Sequence, residues 1–340
     1  MTAPLAADRT APGLAAVLGP HLHRVLAACH PHTGRLTRVQ ACTDGNVSHV
    51  FRVHGEAGNV IVKVRGRRFA HIAHIATDPA LIALEHRALT LHHGLLPDLF
   101  PNALAFLPEA HAMVMTDVFP DGRTWREHLD QRDATGEECT RLGTALGRIH
   151  RATAALPPLR DGDGDDIFRA EHAYGYCLRA CGHRALDQAC RRLEALPGRQ
   201  LILGDPCPKN LSLAAGHTAF VDLDNVHHGA PLFDTGYLLA HLVLHHAARP
   251  ARLRPLAAAF LDAYASTLPG PVWPWRGDAL LATVAAGVLL YRLEARTVPY
   301  PPTAPPASAE RLRRTLRGLL DAGPFTVPGL LDAASGPVTA

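Results

Sequence analysis

Short runs of apolar and β-branched residues dominate the first third of the chain, and turn-forming residues separate them. Segments rich in Gly, Asn and Asp, such as Thr43–Asn46 and Gly55–Gly58, divide the first runs from one another. Runs of this length and spacing predict paired β-strands. The predicted strands are Leu36–Cys42, Ser48–His54, Asn59–Arg65, Ala103–Leu107 and Ala112–Thr116. Helical periodicity predicts helices over Gly13–Cys29 and Pro79–His93.

From Trp125 onward the pattern is almost entirely helical. The predicted helices are Gly136–Ala155, Ile167–Ala180, His183–Leu196, Thr235–Ala247, Leu253–Thr267, Gly277–Thr297 and Ser308–Leu320. Brief strands are predicted at Gln200–Leu203, Leu211–Leu213 and Ala219–Val221, and a loose tail after Asp332. The sequence thus predicts an α+β chain with a small β-rich N-lobe and a larger α-helical C-lobe. The predicted domains are 1–35 (extension and helix), 36–118 (N-lobe), 119–297 (C-lobe) and 298–340 (Pro-rich linker, helix and tail).

Composition narrows the function classes. The chain of 340 residues is 47% hydrophobic with a net charge of +3, so it can bury a large core and has no polyanion-binding tail. Nucleic acid and membrane partners are therefore not expected. Seven cysteines without a regular framework, and no signal-peptide pattern, predict reduced thiols and a cytoplasmic location. Among 22 histidines, only His241 and His245 have a metal-like spacing, and no acidic third ligand follows them. We therefore do not predict zinc.

Only two of the thirty-four basic residues are lysines, Lys63 and Lys209, and both lie in segments that carry candidate chemistry. Lys63 lies in an apolar strand, where an unpaired ammonium is costly to bury, so we expect an acidic partner. Glu85, on the helix that follows, can supply it. Upstream, Gly45 is predicted to allow a tight turn, and Asn46 and Ser48 offer donors to a phosphate. The alternative is an ordinary hairpin turn with a surface lysine.

A second group of polar residues lies between the predicted short strands of the C-lobe. Asp205 and Asn210 are five residues apart in a loop, and Asp222 ends the apolar run that follows. Phosphoryl transfer needs a carboxylate that accepts the proton of a hydroxyl group, and an amide with a second carboxylate to hold magnesium. These three residues provide that set in that order.

Together these motifs resemble the aminoglycoside phosphotransferase and choline-kinase-like family, over roughly residues 36–300. The resemblance implies a bilobal protein-kinase-like fold and an ATP- and Mg²⁺-dependent phosphotransferase. It implies that Asp205 is the catalytic base, that Asn210 and Asp222 are metal ligands, and that Lys63 contacts phosphate. It also implies that adenine lies along a hinge at 113–118, which places Met115 and Asp117 among the nucleotide-binding residues. Asp234 is expected to cap a helix and to tie it back to the catalytic loop.

The chain departs from the family pattern at two positions. Leu203 stands where the family usually has a histidine, so an apolar side chain is expected to pack there. Lys209 stands where a glycine is usual, and its ammonium could neutralise charge on the transferred group and so act in catalysis. The alternative for Lys209 is an exposed loop lysine.

The acceptor is predicted to be a small polar molecule with a hydroxyl group, such as an aminoglycoside or related natural product. Glu171, Tyr174 and Tyr176 are candidates to line its site, as are Trp273 and Trp275, although packing at a turn explains the two tryptophans better. The acidic segment 161–166 is expected to be a flexible connection, with attraction of a cationic acceptor as the alternative. Two alternatives stay open. One is an enzyme that phosphorylates Ser or Thr of a peptide in natural-product maturation, and the other is a pseudokinase that acts as a binding module.

Overall fold

The computed structural model describes residues 12–42, 45–159, 174, 176–214, 216–247, 249–294 and 306–336. These residues fall into two compact units. The first comprises Met1–Pro120 with Val221–Asp224, and the second Asp121–Phe220 with Asn225–Ala340. The α+β protein-kinase-like class is confirmed, with an antiparallel sheet in the N-terminal region and helices in the C-terminal part. The domain boundaries given above stay a prediction.

The first unit is built on a five-stranded antiparallel sheet in the order β1-β2-β3-β5-β4. Its strands are β1 (Leu36–Cys42), β2 (His49–Gly55), β3 (Asn59–Val64), β4 (Ala103–Leu107) and β5 (Ala112–Thr116). Its helices are α1 (Pro12–Leu18), α2 (Leu22–Thr33) and α3 (Ile82–Leu95), with short 3₁₀ turns at Gly19–His21, Pro79–Leu81 and Pro108–Ala110. Helices α1 and α2 bury their apolar residues, Val25 among them, in one core with sheet residues such as Val53 and Val62. This burial supplies most of the stability of such a layer.

The second unit is mainly helical. Its helices are α4 (Trp125–Leu129), α5 (Gly136–Thr153), α6 (Arg184–Ala195), α7 (Pro231–His246), α8 (Pro250–Thr267), α9 (Ala279–Glu294), α10 (Pro306–Ala322) and α11 (Val327–Ala334). Four short strands, β6 (Gln200–Ile202), β7 (Leu211–Ser212), β8 (Ala219–Phe220) and β9 (His227–Gly229), form two small ladders, β6-β9 and β7-β8. Further 3₁₀ turns lie at Arg179–Cys181, Pro208–Asn210 and Trp275–Gly277.

Two glycines on α5 let it pack closely against α8. A Cβ at Gly143 would overlap the carbonyl oxygen of Phe260, and one at Gly147 would overlap the hydroxyl of Thr267. Helix α5 begins with a capping box, in which Thr135 accepts from the N–H of Glu138 and the Glu138 carboxylate accepts from that of Thr135. The sequence thus fixes both the start of this helix and the face that it packs.

The structure differs from the prediction at two predicted elements and at one strand that was not predicted. Of the predicted helix 167–180, residues 167–173 and 175 lie outside the described residues, and the described remainder is turn and 3₁₀ helix. The tail is not loose at Asp332, because α11 continues to Ala334. Strand β9 was not predicted, since a three-residue strand carries too little periodicity to be recognised. The acidic segment 161–166 also lies outside the described residues.

Candidate functional site

Lys63 lies in the middle of the sheet of the first unit, opposite Val50 on β2 and Met113 on β5. Its side chain is only 5% exposed. The ammonium donates to Oε1 of Glu85 at 2.5 Å and to Oδ1 of Asp222. Burial alone would lower the pKa of Lys63, but the carboxylates of Asp222 and Glu85 raise it overall. Lys63 is therefore a buried cation held by two carboxylates, of which the sequence predicted Glu85.

The same corner holds a third carboxylate and a second cation. The Asp224 side chain is 7% exposed, and Nη1 of the buried Arg65 lies 3.8 Å from its Oδ2, which accepts no hydrogen bond from the described residues. Burial and the neighbouring Asp222 raise the pKa of Asp224 to about 8, and burial also raises that of Glu85. Three carboxylates against two cations leave a local excess of acid. A divalent cation beside Asp222 would relieve this excess, and the carboxylate oxygens of Asp222 are ligands of the kind that such an ion prefers.

Asp222 has a backbone conformation that is rare for a residue with a side chain, with a φ of 65°. The left-handed residue lies two positions after the end of β8, whose two residues pair with β7. It turns the chain at the point where the carboxylate is presented to Lys63. Non-glycine residues held in this region are enriched at functional sites, because the surrounding structure must stabilise them.

The predicted phosphate loop is described from Gly45 onward, since residues 43 and 44 lie outside the described part. Gly45 does not have a positive φ, and a Cβ there would lie 3.5 Å from the Ser48 carbonyl oxygen, an ordinary contact. The backbone conformation of Gly45 is therefore open to other residues, and its part in a phosphate-binding turn stays a prediction. The carbonyl oxygen of Asn46 accepts from the N–H of His71. Ser48 is 2% exposed, and its hydroxyl has no hydrogen-bond partner among the described residues.

The predicted hinge follows β5. Met115 is buried and pairs with Ile61 of β3, so its side chain faces the interior of the unit. The Asp117 carboxylate accepts from Nε of Arg52 at 2.7 Å and from the backbone N–H of Phe119 at 3.1 Å. Because this carboxylate is engaged by Arg52, Asp117 can reach a nucleotide base more readily through its peptide groups than through its side chain.

The loop that carries Asp205 begins with a glycine that no other residue could replace easily. Gly204 has a φ of 78°, and a Cβ there would overlap the carbonyl oxygen of Asn225. The carbonyl oxygen of Asp205 accepts from the N–H of Cys207 at 2.8 Å and from Nδ2 of Asn210 at 3.0 Å. This second bond fixes the Asn210 amide with its nitrogen toward the loop. The amide oxygen, the atom that binds hard cations, therefore points away from that carbonyl.

Asp234, on the first turn of α7, ties the helix to this loop. Its fully buried carboxylate accepts from the N–H groups of Leu203 at 2.7 Å and Gly204 at 2.9 Å, and lies 3.2 Å from Nε2 of His150. The predicted tie is present, whereas the predicted cap is wrong, because the N-cap is Ala230 and makes no side-chain bond. The Leu203 side chain is 3% exposed and packs in the core.

Arg292, which was not predicted from the sequence, contacts the candidate base directly. Nη2 of Arg292 donates to Oδ1 of Asp205 at 2.9 Å and to the hydroxyl of Tyr237. Arg292 is 6% exposed, close to the end of α9. The available signal was a single arginine at the end of a long apolar helix, which must find an anionic partner if it is buried.

Lys209 and the candidate acceptor residues occupy different environments. Lys209 lies half-buried on the 3₁₀ turn Pro208–Asn210. Tyr174 is buried, and its hydroxyl accepts from the N–H of Ala230, which is a structural role. The Tyr176 hydroxyl donates to the carbonyl oxygen of Gly204 at 2.7 Å. Trp275 is buried, with its indole bonded to Asp262, in agreement with packing at a turn.

Among the residues that the structure describes, no group of three or more His, Cys, Asp or Glu side chains is arranged to hold a metal ion. The rings of His241 and His245 lie 6.3 Å apart on α7, and burial lowers the pKa of both. None of the described helices has the length and the apolar character needed to cross a membrane.

Comparison with known families gives one match that covers most of the chain. The model of the phosphotransferase enzyme family matches residues 38–276 of 340. That range includes the strand of Lys63, the loop of Asp205 and the segment of Asp222. No curated protein sequence is significantly similar to the chain.

Solved structures share the fold at low sequence identity. An amicoumacin kinase, solved with AMP-PNP, Ca²⁺ and Ami, superimposes with a TM-score of 0.56 at 15% identity, covering 92% of this chain and 96% of that one. A microcompartment-associated aminopropanol kinase gives 0.55 at 15% identity, with 93% and 100% covered. The choline kinase LicA from Streptococcus pneumoniae gives 0.51 at 13% identity, with 89% and 100% covered.

Proposed function

This chain belongs to the phosphotransferase enzyme family, and from that premise we propose that it transfers the γ-phosphoryl group of Mg·ATP to a hydroxyl group of a small polar molecule. The family makes the chain an ATP-dependent phosphotransferase. The choice of magnesium, the roles of individual residues and the class of acceptor are the proposal.

The observation that carries it is the buried ammonium of Lys63 on two carboxylates, Glu85 and Asp222. A strand lysine paired with a helix glutamate positions phosphates in kinases, because a fixed point charge meets the nucleotide without reorganisation. Charges buried this deeply would destabilise the fold if they were not paired with opposite charges. In the first unit, we assign Lys63 to the phosphates, Glu85 to holding Lys63, and Asp222 to the metal.

In the proposed reaction the oxygen of the acceptor hydroxyl bonds to the γ-phosphorus while the bond from that phosphorus to the β-bridging oxygen breaks. Asp205 takes the hydroxyl proton, and ADP leaves. Asn210 and Asp222 would each supply an oxygen ligand to magnesium, and the ion would neutralise charge on the phosphate oxygens. Asp234 does not touch substrate; it fixes the backbone before Asp205 through two N–H groups.

The nucleotide is proposed to lie against the loop of Gly45, Asn46 and Ser48 and along the hinge of Met115 and Asp117. The buried hydroxyl of Ser48, which has no hydrogen-bond partner in the described part of the chain, supports this role, because an unmade bond of this kind costs stability that a ligand oxygen can recover. Burial of the Met115 side chain in the sheet is compatible with a hinge that contacts the base through its backbone.

For the acceptor, we propose an aminoglycoside or a related natural product. The amicoumacin and aminopropanol kinases with the same fold support a small molecule with a hydroxyl group. A peptide acceptor has no comparable support. The binding-module alternative rested on Leu203, whose side chain packs in the core while its N–H is held by Asp234.

The test is Asp205→Asn, assayed by ADP release against a panel of aminoglycosides, sugars, amino alcohols and Ser/Thr peptides. Turnover should fall by about two to four orders of magnitude, the usual range for a lost general base, while Mg·ATP affinity is retained. Asp187→Asn, a half-buried position on α6, serves as the matched control and should keep full turnover. Unchanged turnover in Asp205→Asn would refute Asp205 as the base.

A further inference from the structure

Arg292 is buried at the end of a helix that otherwise carries apolar residues into the core. Residues Leu280–Leu290 of α9 are almost all buried, and Arg292 is itself only 6% exposed. A guanidinium in such a place destabilises the fold unless an anion is fixed beside it. The anion is Asp205, whose Oδ1 accepts from Nη2 of Arg292 at 2.9 Å.

Three tyrosines, Tyr176, Tyr237 and Tyr291, hold this arginine in place. The guanidinium carbon lies 5.4 Å from the ring centroid of Tyr237 and 5.1 Å from that of Tyr291, and Nη2 also donates to the Tyr237 hydroxyl. The Tyr176 ring packs edge-on against Tyr291, with centroids 5.8 Å apart. The Tyr176 hydroxyl is hydrogen bonded to that of Tyr237 and donates to the carbonyl oxygen of Gly204.

These contacts reach the loop at two adjacent points. One is the Asp205 carboxylate, through Arg292, and the other is the peptide group just before it, through Tyr176. A side chain with 21% exposure, such as that of Asp205, would otherwise rotate toward solvent. With Nη2 on Oδ1, the carboxylate is held in one orientation, and the Cys207 thiol is also hydrogen bonded to it.

We propose that Arg292 is a positioning residue for the reaction, which orients the Asp205 carboxylate and compensates its charge before it takes the proton. This inference rests on the proposed role of Asp205 as base. Arg292 transfers no proton; the hydroxyl proton moves to the Asp205 carboxylate, and the guanidinium keeps its charge throughout. The arginine acts only through Asp205, so its effect should vanish when the base is absent.

The experiment is a double-mutant cycle with Asp205→Asn, Arg292→Gln and the combined variant, measured by transfer from radiolabelled ATP to whichever acceptor the panel identifies. Arg292→Gln should lower kcat by about 10- to 100-fold, as for the loss of one charge-assisted hydrogen bond, with the KM for ATP unchanged. Arg292→Lys should recover part of the loss in kcat. An ammonium can donate to Oδ1 of Asp205, but it lacks the planar shape with which the guanidinium contacts Oδ1 and the Tyr237 hydroxyl together. The combined variant should be as slow as Asp205→Asn and no slower.

Arg317→Gln is the matched control. Arg317 lies on α10 and pairs with Glu294, two residues beyond Arg292 on α9. The Arg317→Gln substitution therefore removes an arginine–carboxylate pair from the same helix end and leaves the contacts of the Asp205 loop unchanged. Its kcat should equal that of the parent. Nucleotide affinity and thermal melting of every variant report folding separately from turnover.

The outcomes separate the two ideas. Full activity in Asp205→Asn overturns the proposed base. If Asp205→Asn lowers kcat but Arg292→Gln keeps the kcat of the parent, the inference is overturned. It is also overturned if adding Arg292→Gln to Asp205→Asn lowers kcat by the same factor as Arg292→Gln alone, because the arginine would then act independently of the base. If Arg292→Gln does not fold, Tyr237→Phe replaces it. Removing that hydroxyl should lower kcat by a smaller factor, about 3- to 10-fold, again only while Asp205 is present.

Discussion

Replacing Asp234 with asparagine should destabilise the protein strongly, although it changes one atom of a side chain that touches no substrate. The carboxylate is fully buried and accepts two backbone hydrogen bonds, from Leu203 at 2.7 Å and from Gly204 at 2.9 Å. An asparagine has only one acceptor oxygen, and its NH₂ group would face the N–H that the second carboxylate oxygen now accepts. One buried donor then loses its partner and meets another donor.

The magnitude follows from the bond that is lost. A hydrogen bond to a charged group contributes ~1.5–3 kcal/mol, and leaving its buried partner unsatisfied costs a similar amount. We therefore expect Asp234→Asn to lower the free energy of unfolding by about 2 kcal/mol. Asp234→Ala leaves both N–H groups without an acceptor and should lower it by about 4 kcal/mol. For a unit of roughly 200 residues, each kcal/mol corresponds to ~2–4 °C in Tm.

Differential scanning calorimetry at pH 7.5 tests this expectation. Asp234→Asn should melt about 4–8 °C below the parent. Asp332→Asn, which weakens an exposed ion pair with Arg254, is the matched control and should melt within about 2 °C of the parent. An Asp234→Asn variant that melts with the control would show that the two hydrogen bonds do not stabilise the loop, and the reasoning would fail.

Three further predictions concern the site and its surroundings. Asp222→Ala should abolish magnesium-dependent nucleotide binding in calorimetric titration, because it removes the proposed metal ligand; equal Mg·ATP affinity would contradict that role. Lys209→Ala should lower kcat with little change in the KM for ATP. Lys209→Arg should recover only part of the lost kcat, because a planar guanidinium cannot place its charge where the compact ammonium does. If both variants match the parent, Lys209 is an ordinary loop residue. Burial lowers the pKa of His245 from 6.5 to about 3, so the unfolded chain takes up a proton that the folded state excludes, and stability should decline as the pH falls below 6.5. His245→Gln should reduce this decline by up to ~1.4 kcal/mol per pH unit, and identical melting profiles of parent and variant between pH 7.5 and 5 would contradict the assignment.

The polar residues that lie in strands and tight loops were accessible from the sequence because their neighbours define their surroundings. Lys63 is flanked by apolar, β-branched residues on both sides, so burial and an acidic partner could be expected, and Glu85 was the first carboxylate on the helix that follows. The order of Asp205, Asn210 and Asp222 is likewise written along the chain. Sequence spacing sufficed here because each motif is local.

Contacts between segments that lie far apart in the sequence could not be predicted in this way. Asp222 was expected from the sequence to hold a metal, but its contact with Lys63 joins positions 159 residues apart. Arg292 was missed because its partner Asp205 lies 87 residues earlier, and the apolar pattern of α9 gives no hint of which anion lies opposite its last turn. The sequence also does not indicate that Gly45 has an ordinary backbone conformation and that Asp222 has a left-handed one.

The sequence by itself determined the order of strands and helices, the family and the polar residues in its motifs, because hydrophobic period, turn chemistry and motif spacing are properties of neighbours along the chain. Only the tertiary structure decided which buried charges face each other, how Asp234 and Tyr176 hold the loop of Asp205, and which arginine pairs with its carboxylate. The physical reason is that the energy of a buried charge depends on the distance and direction of its partners in space, and packing alone fixes both.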